Sequence, residues 1–423
     1  MKRLSVVAAV CAATVSLLAA GCSGVGEGGP VKLTFQSLAF QDSTVAATAD
    51  IVAQWNRANP DVQVEILQSN YDDVHDQLVT QFQSDTAPDL IYDEASDIAG
   101  FAHQGYLADL STYLSDELKN AVDKEFWDIT TIGGKVVAVP TLVQSYVAFV
   151  NTDALAAAGV AMPSNTSLTW DELRALAKRL TADGRYGVGW GLKQPASAVV
   201  NTALAYGGGF FDVEDDGSAS ISVGDGELAV PDVLRNMLID DKSMDPVAAT
   251  QSTADTVPGF FAGKYAIFMG ASYLAQQLTS AAPAGFNFTV LPPLAGSKGT
   301  AQAANPQTLS IAAQSRHPQE AAQFLDFYMN ADNQARLAES DWLRPVSRPA
   351  LERLAANTAN KPIWKPLLAA TEGLRGAPFT KTLNYPQWKL QYLTPGLQKY
   401  FAGRMSRAEL AASLTDGWKS IGR

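Results

Sequence analysis

The chain has 423 residues, of which 47% are hydrophobic, and it carries a formal net charge of −12. A chain of this length can bury a large core and is better divided into two domains than packed as one. The negative charge, without any basic cluster, argues against nucleic acid as a partner and makes an anionic ligand less favourable.

The N-terminal segment has the pattern of an export signal followed by a membrane anchor. Two basic residues precede an apolar run, Leu4–Ala20, which is short for a transmembrane helix and ends in small residues. Its end, LLAAGCSG, resembles the lipobox of bacterial lipoproteins, with alanine at a position where leucine is more usual. We therefore predict a signal peptide at 1–21, lipidation of Cys22 and a flexible Gly-rich tether at 22–30. Ordinary cleavage that leaves Cys22 as a free thiol is the alternative.

This segment also predicts where the protein resides. Lipidation of Cys22 would anchor an extracytoplasmic protein to the outer face of the cell membrane. The other cysteine, Cys11, lies inside the predicted signal. The mature domain therefore has no cysteine pair, and we expect neither a disulfide nor a thiolate metal site.

The first half of the mature domain alternates predicted strands and helices. Alternating apolar residues predict strands at 31–40 and 61–67, and helical spacing predicts helices from Asp42 onward and at 71–83. A third strand, 88–94, ends in two carboxylates. Strands that alternate with helices favour a parallel sheet, which binds ligands beyond the carboxyl ends of its strands. The segments expected to converge there are Gln36–Gln41, Gln68–Tyr71 and Asp93–Asp97.

The second half repeats this style and contains candidate crossings between two domains. Thr169 is placed to cap the amphipathic helix WDELRALAKRL, and strands are predicted in GVGWGL and KYAIFMG. Three segments combine extended, β-branched or aromatic residues with a proline or a polar break: 142–146, 289–293 and 342–346. Three crossings predict a hinged pair of lobes with a cleft between them.

Five motifs occur in order along the mature chain. They are DIAGFAHQGYLADLS, GGKVVAVPTLVQSYVAFVN, TWDELRALAKRLT, FAGKYAIFMGASY and PQEAAQFLDFYMNADNQARLA. Together they resemble the extracellular solute-binding proteins of family 1, the sugar-type receptors of bacterial ABC importers. The resemblance implies an α/β fold of two periplasmic-binding-protein-like lobes, each a mostly parallel sheet flanked by helices, with three hinge crossings and a central cleft. It places lobe 1 at 31–143 and 293–343, and lobe 2 at 144–292 and 344–423.

The resemblance also implies the partners of the protein. We expect a small-molecule carbohydrate ligand and the transmembrane subunits of an ABC permease. We expect a monomer that touches the membrane only through its lipid anchor. The resemblance implies no cofactor, no metal and no catalysis.

The resemblance and the polar strand ends together give a set of candidate ligand-binding residues. Asp93, Glu94 and Asp97 are expected at the cleft edge of lobe 1, and Gln144 at the first crossing. Tyr273 is expected to face them from lobe 2, near a position where the family often has a sugar-stacking tryptophan. The further candidates are Gln41, Asn70, Trp190, Gln194, Gly208, Asn305, Arg344, Tyr385 and Trp388.

Each candidate has a structural alternative. Asp93 and Glu94 can end a strand and cap the next helix, and neighbours on a strand point to opposite sides, so one of the two is expected to face away from the ligand. The two tryptophans and Tyr385 can be core residues. Arg344 can bond a carbonyl of its own lobe.

The candidate set has the chemistry of carbohydrate recognition. Amides and carboxylates suit pairs of hydroxyls, and flat aromatic rings suit the C–H face of a sugar. The sequence has no GxSxG motif and no Walker loop, and its three histidines are dispersed. A glycosidase needs carboxylates on opposing walls, about 5–9.5 Å apart, which the adjacent Asp93 and Glu94 do not provide. We therefore predict a sugar-binding protein. The alternatives are a receptor for a glycerophosphodiester or another polyol, a wall-tethered adhesion module and a secreted glycoside hydrolase.

Overall fold

The computed structural model describes residues 29–182, 184–214 and 217–421. The predicted signal peptide, Cys22 and nearly all of the predicted tether lie outside the described residues. Within these residues, no helix combines the length and the apolar character that a membrane crossing requires.

Strands and helices alternate through most of the described chain. The strands are β1 (Val31–Ser37), β2 (Val62–Gln68), β3 (Leu90–Glu94), β4 (Thr131–Ile132), β5 (Lys135–Val136), β6 (Val139–Pro140), β7 (Leu142–Val143), β8 (Tyr146–Asn151), β9 (Leu168–Thr169), β10 (Tyr186–Gly189), β11 (Phe211–Val213), β12 (Ala219–Ile221), β13 (Tyr265–Ala271), β14 (Phe288–Val290), β15 (Leu294–Ala295), β16 (Gln302–Ala303), β17 (Gln307–Ile311), β18 (Arg344–Pro345) and β19 (Leu374–Arg375). The α-helices are α1 (Asp42–Ala58), α2 (Val74–Gln83), α3 (Ala95–His103), α4 (Asp116–Ala121), α5 (Lys124–Thr130), α6 (Thr152–Ala157), α7 (Trp170–Leu180), α8 (Ala196–Ala203), α9 (Asp225–Ile239), α10 (Thr253–Phe261), α11 (Leu274–Ala281), α12 (Pro318–Tyr328), α13 (Ala331–Asp341), α14 (Arg348–Asn357), α15 (Trp364–Ala369), α16 (Tyr385–Trp388), α17 (Thr394–Phe401) and α18 (Arg407–Ile421). Short 3-10 helices lie at Leu204–Tyr206, Pro246–Thr250 and Pro378–Lys381, and a π-helical turn at Lys389–Leu393.

The first sheet has the strand order β2-β1-β3-β17-β6. Strand β1 is parallel to β2 and β3, whereas β17 is antiparallel to β3 and β6. Alternate residues of β1, Leu33 and Phe35, are fully buried, as their spacing predicts. Because β1, β2 and β3 are parallel, their carboxyl ends lie at one edge of the sheet.

The second sheet has the strand order β10-β13-β8-β14. Strands β10 and β13 are parallel, whereas β8 is antiparallel to both β13 and β14. Each sheet therefore contains one reversed strand, β17 in the first and β8 in the second. The other strands of each sheet point the same way, so the prediction of mostly parallel sheets is confirmed. The antiparallel strands β8 and β17 each follow a passage from the other half of the molecule, so they enter their sheet in the opposite direction.

Helix α7 begins with the predicted cap. The Thr169 hydroxyl accepts a hydrogen bond from the Glu172 N–H (3.1 Å), and the Glu172 carboxylate accepts one from the Thr169 N–H (2.7 Å). Two donors that the first helical turn leaves free are satisfied by this reciprocal pair. The local sequence therefore fixes the start of this helix.

Two main hydrophobic cores divide the chain into two lobes. The first core takes its buried residues from 31–143 and 304–374, which we call the first lobe. The second core takes its buried residues from 147–303 and 377–421, which we call the second lobe. Helix α15 adds apolar side chains to a cluster that otherwise belongs to the second lobe, so the lobes are in contact there.

The passages between the lobes differ in part from the predicted crossings. The cores place them at 143–147, 303–304 and 374–377. The first overlaps the predicted crossing, but the segment after 289–293 pairs with β9 in the second lobe, and 342–346 pairs with β7 in the first. The predicted boundaries at 293 and 344 therefore move to 304 and 377. Pairing between distant strands, which no local pattern reports, holds both segments where they are.

One buried glutamine joins all three passages. Gln302 is 3% exposed. Its Oε1 accepts a hydrogen bond from the Tyr146 N–H (2.8 Å), and its Nε2 donates one to the Tyr146 carbonyl (2.9 Å). Its own backbone pairs with Leu374. A single side chain thus satisfies two buried backbone groups at the joint between the lobes.

Candidate ligand-binding cleft

The predicted strand ends meet at one edge of the first sheet. The Ser69 N–H donates a hydrogen bond to the Ser37 carbonyl (2.9 Å), which joins the ends of β2 and β1. Gln307, at the start of β17, donates through Nε2 to the Tyr71 hydroxyl (3.0 Å) and accepts at Oε1 from the Tyr92 hydroxyl (2.6 Å). The three predicted segments therefore come together, and β17 adds a fourth element to the same edge.

Carboxyl groups and an amide form the wall on the first lobe. Asp93 and Glu94 end β3, and Asp97 lies in the first turn of α3. Asn305 donates through Nδ2 to Glu94 Oε2 (2.9 Å), while its Oδ1 accepts from the Ser96 N–H (3.0 Å). Asp93 is 1% exposed, whereas Glu94 is partly exposed. As expected for neighbours on a strand, one carboxyl group is buried and the other faces the cleft.

Burial and mutual repulsion shift the ionisation of these acids. Burial, followed by the charge of Asp97, raises the pKa of Glu94 to about 7, against the lowering effects of Lys389 and of the Asn305 hydrogen bond. Burial, again followed by Asp97, raises the pKa of Asp93 well above its ordinary value. The charged form of each group is thus poorly compensated by its surroundings.

A further acid, Asp341, lies behind the strand ends. Gln41 donates through Nε2 to Asp341 Oδ1 (2.6 Å), and the Thr44 hydroxyl is 3.3 Å from the same oxygen. Burial raises the pKa of Asp341 to about 6, against these hydrogen bonds. A cavity of about 10 Å³, lined in part by Tyr71, Asp341 and Gln307, lies beside it and is about the size of one water molecule. The amide of Gln41 is therefore engaged in holding Asp341.

Four tyrosine hydroxyls, from both lobes, lie within electrostatic reach of Glu94. Tyr146 begins β8, Tyr273 follows β13 and Tyr385 begins α16, all in the second lobe. Burial raises the pKa of each hydroxyl, and the Glu94 carboxylate raises it further. The same two causes act on Tyr71 in the first lobe. The four hydroxyls therefore lie within electrostatic reach of one carboxylate.

The lobes contact each other on both sides of this site. On one side the ring of Phe40 packs edge-on against Tyr273 of the second lobe (centroids 5.9 Å apart) and against Tyr71 of its own lobe (6.3 Å). On the other side, α3 packs against the 3-10 helix Pro378–Lys381. The Gly376 N–H, in the third passage, donates to Glu125 Oε1 of the first lobe (3.0 Å). The cleft thus has walls from both lobes.

Three predicted ligand contacts are packing residues instead. Trp388 is 0% exposed and its indole N–H donates to the Leu414 carbonyl (3.0 Å). Trp190 is also buried in the second core. At Gly208, a Cβ atom would lie 2.6 Å from the Gly226 carbonyl carbon, so this glycine serves the close approach of α9. We therefore no longer regard these three residues as ligand contacts, because their roles in packing explain why they occur at these positions.

Four other candidates occupy different surroundings. Gln144, at the first passage, is partly exposed, and its side chain has no hydrogen-bond partner among the described residues, so it is free to meet a ligand. Asn70 Oδ1 accepts from the Asp72 N–H and so shapes the turn before α2. Gln194 is exposed before α8. Arg344 places its guanidinium 5.3 Å from the Phe126 ring centroid inside the first lobe, and burial lowers its pKa.

Several cleft residues were not predicted from the sequence. Phe40 ends the predicted strand 31–40 and Tyr146 ends the predicted crossing 142–146, but nothing local distinguishes either ring from a core aromatic. Lys389, four residues after Tyr385, lies with its Nζ 5.7 Å from that ring centroid. Asp341 carries no local signal, because it reaches the site only through the packing of α13 against α1.

Comparison with known proteins identifies related sequences. Residues 41–335 match the family described as bacterial extracellular solute-binding protein. A lipoprotein from the oleD 5′ region of Streptomyces antibioticus is 41% identical over 402 residues, which cover 94% of this chain and 89% of the relative.

Solved structures share the fold at lower identity. The sugar-binding protein MalE from Xanthomonas citri is 20% identical with a TM-score of 0.80, covering 93% of this chain and 97% of that one. The GacH receptor of Streptomyces glaucescens, solved unliganded and with acarbose, is 20% identical with a TM-score of 0.76, covering 93% and 98%. The cyclic α-maltosyl-1,6-maltose binding protein of Arthrobacter globiformis is 20% identical with a TM-score of 0.78, covering 93% and 99%. These matches confirm the α/β, two-lobe fold, and with the extent of the sequence match they show that this chain belongs to the bacterial extracellular solute-binding protein family.

Proposed function

We propose that this protein is the substrate-binding component of an ABC importer and that it captures a carbohydrate in the cleft between its lobes. The observation that supports this proposal most strongly is that the two walls of the cleft differ in chemistry. Carboxyl and amide groups of the first lobe, Glu94 and Asn305 among them, face the tyrosines of the second lobe. Hydrogen-bonding groups on one side and flat rings on the other match the hydroxyls and the C–H face of a sugar.

The relatives support the same ligand class. The matched structures include a sugar-binding protein, a cyclic α-maltosyl-1,6-maltose binding protein and a receptor solved with acarbose. They and the family are binding proteins, which supports a receptor rather than an enzyme. In that role the protein would deliver its ligand to the transmembrane subunits of a permease.

The mechanism we propose is closure of the lobes on the ligand. A sugar that touches Glu94 from one side and the partly exposed Tyr146 or Tyr273 from the other would favour the closed state, because only that state makes both sets of contacts. The passages at 143–147, 303–304 and 374–377 would act as the hinge. Gln144 lies in the first passage and would contact the ligand from between the lobes.

A thermal-shift screen tests the carbohydrate function. The full chain would be screened against mono-, di- and amino sugars and against glycerophosphodiesters, since a ligand that binds the native state raises its stability in proportion to RT ln(1 + [L]/Kd). Small-angle scattering with a saturating hit should then show a smaller radius of gyration. Stabilisation by glycerophosphodiesters alone would replace the carbohydrate with a different polyol, and an unchanged radius would replace closure with a rigid pocket.

We further propose that Cys22 is lipidated and holds the protein on the outer face of the membrane. The name of the Streptomyces antibioticus relative, a lipoprotein, supports this. Mass spectrometry of the membrane fraction should find an acylated N-terminal peptide beginning at Cys22, and Cys22→Ala should release the protein from that fraction. An unmodified Cys22 in the membrane fraction would contradict the proposal.

A further inference from the structure

The carboxyl groups of the cleft form no ion pair with a cation of the described chain. Among the described residues, no ion pair includes Asp93, Glu94 or Asp97. Lys389, whose charge opposes the raised pKa of Glu94, lies instead against the ring of Tyr385. The described acidic side chains also do not form a group arranged to hold a metal ion. A buried carboxylate without a paired charge is costly, so this site favours a ligand that brings a positive charge.

One buried acceptor of the second lobe lacks a donor. In the described part of the chain, Asn201 Oδ1 has no hydrogen-bond partner, although Asn201 is only 5% exposed. Asn201 lies on α8, which packs against β8, the strand that Tyr146 begins, so it is close to the border of the cleft. The carboxylate oxygens of Glu94 and Asp97 are acceptors too. The cleft therefore favours a ligand that brings donors, and an ammonium group supplies three together with a charge.

The rings around Glu94 suit the same group. Tyr71, Tyr146, Tyr273 and Tyr385 approach this carboxylate from both lobes. The face of an aromatic ring attracts a cation within about 6 Å, and the attraction grows when water is excluded. Aromatic rings close to a carboxylate therefore favour an amine over a neutral hydroxyl at this site.

We propose that the solute is a sugar or polyol that carries a positively charged amine, with Glu94 and Asp97 as the residues that receive it. This proposal rests on the proposed carbohydrate-binding function and narrows its ligand class. Asn305 would hold Glu94 in place, and the tyrosines would cover the apolar face of the ligand. The ammonium group of Lys389 would move away from the bound amine, because the two groups carry the same charge.

The proposal predicts a specific pH dependence. Affinity for an amine should rise as the pH rises through about 7, where Glu94 loses its proton, and fall again once the amine loses its own. The groups that face Glu94 are Asp93, Asp97 and Tyr71 from the first lobe and Tyr146, Tyr273, Tyr385 and Lys389 from the second. A neutral sugar should lack the falling limb at high pH.

Matched pairs of probes test the preference. The full chain would be titrated calorimetrically at about pH 7, where sugar amines remain largely protonated, with glucosamine and glucose, galactosamine and galactose, and the β-1,4-linked glucosamine disaccharide and cellobiose. We expect at least one amine to bind roughly 10- to 150-fold more tightly than its neutral parent. If the neutral parents bind as well or better, the carbohydrate function stands and the amine preference is wrong. If neither member of any pair binds, both proposals are contradicted.

Two variants assign the effect to residues. Glu94→Gln should abolish the preference for the amine, measured as the ratio of the amine and neutral affinities, because the amide keeps the shape and loses the charge. The neutral parent should also bind more weakly, because its hydroxyl loses a charged acceptor, but by a smaller factor than the amine. Lys389→Met should strengthen amine binding, because it removes a nearby like charge. Glu65→Gln, on the exposed face of β2, is the matched control and should change neither. An amine preference that survives in Glu94→Gln, or that weakens in Lys389→Met, would overturn the assignment.

Discussion

The two walls of the cleft are built in different ways. On the first lobe, Glu94 and Asp97 belong to one continuous strand–helix junction, and Asn305 reaches them from the strand that pairs beside it. On the second lobe, Tyr146, Tyr273 and Tyr385 come from segments far apart in the chain. The polar wall is therefore a property of one sheet edge, whereas the aromatic wall exists only after the whole lobe has folded. We expect the residues of the two walls to differ also in their contributions to the unfolding free energy and to ligand affinity.

The largest expected effect is a loss of unfolding free energy, and it distinguishes an aromatic residue of the core from one that binds the ligand. Trp388→Ala should lower the free energy of unfolding by about 3–5 kcal/mol, because it removes a fully buried indole and the hydrogen bond to the Leu414 carbonyl. Urea unfolding measures the loss, and calorimetry with the sugar found in the screen should give an unchanged affinity. The milder Trp388→Phe keeps the protein folded for that measurement. A tenfold loss of affinity in Trp388→Phe would return this residue to the aromatic wall.

The next effect concerns Gln302, which connects the passages between the two lobes. Gln302→Leu should cost about 2–4 kcal/mol of unfolding free energy, because it leaves the buried N–H and carbonyl of Tyr146 without partners. Hydrogen exchange of the Tyr146 amide should accelerate with it, since local opening of the passage becomes easier. Gln54→Leu, on the exposed face of α1, is the control. An unchanged exchange rate at Tyr146 would show that Gln302 does not hold the joint.

The acidic wall should destabilise the unliganded protein as the pH rises. Glu94 has its pKa raised to about 7 in the folded state, so between about pH 4.5 and 7 the folded state holds a proton that the unfolded state has lost. The contribution of this group to the unfolding free energy therefore falls with rising pH, by about 3 kcal/mol over this range. Asp341, with its pKa raised to about 6, acts in the same direction.

The difference between variants isolates this contribution from that of other acids. Urea unfolding would be compared across this pH range for wild type, Glu94→Gln and Glu65→Gln. The advantage of Glu94→Gln over wild type should grow with pH, whereas Glu65→Gln should follow wild type. A constant difference between wild type and Glu94→Gln would mean that this carboxyl group titrates as an exposed acid does.

The smallest effects concern single contacts to the ligand. Gln144→Ala and Tyr273→Ala should each weaken binding by roughly 3- to 100-fold without unfolding the protein, because each removes one hydrogen-bonding or stacking contact. Tyr113→Ala, at an exposed ring of the first lobe, is the control. Calorimetry on the three variants decides the matter. Wild-type affinity in both cleft variants would place the ligand elsewhere.

Sequence reasoning identified the polar wall better than the aromatic one. Asp93, Glu94 and Asp97 were predicted because a strand followed by carboxylates places them beyond a sheet edge, and the structure brings that edge together with Tyr71 and Gln307. Trp190 and Trp388 were predicted at the cleft but lie in the core. An aromatic residue of the core and one that lines the cleft have the same apolar spacing in the sequence. The pattern therefore does not reveal which of the two environments the ring occupies.

The sequence by itself determined the local structure and the family. Alternating apolar residues specify β1, the Thr169–Glu172 pair specifies the start of α7, and five motifs in order specify the two-lobe receptor fold. These features depend on neighbours a few residues apart, so they can be read along the chain. Only the tertiary structure decided where the chain passes between the lobes and which tyrosines lie within electrostatic reach of Glu94. Those outcomes depend on pairing and packing between residues that are distant in sequence, such as Gln302 with Tyr146, and the free energy of such contacts leaves no periodic trace in the sequence.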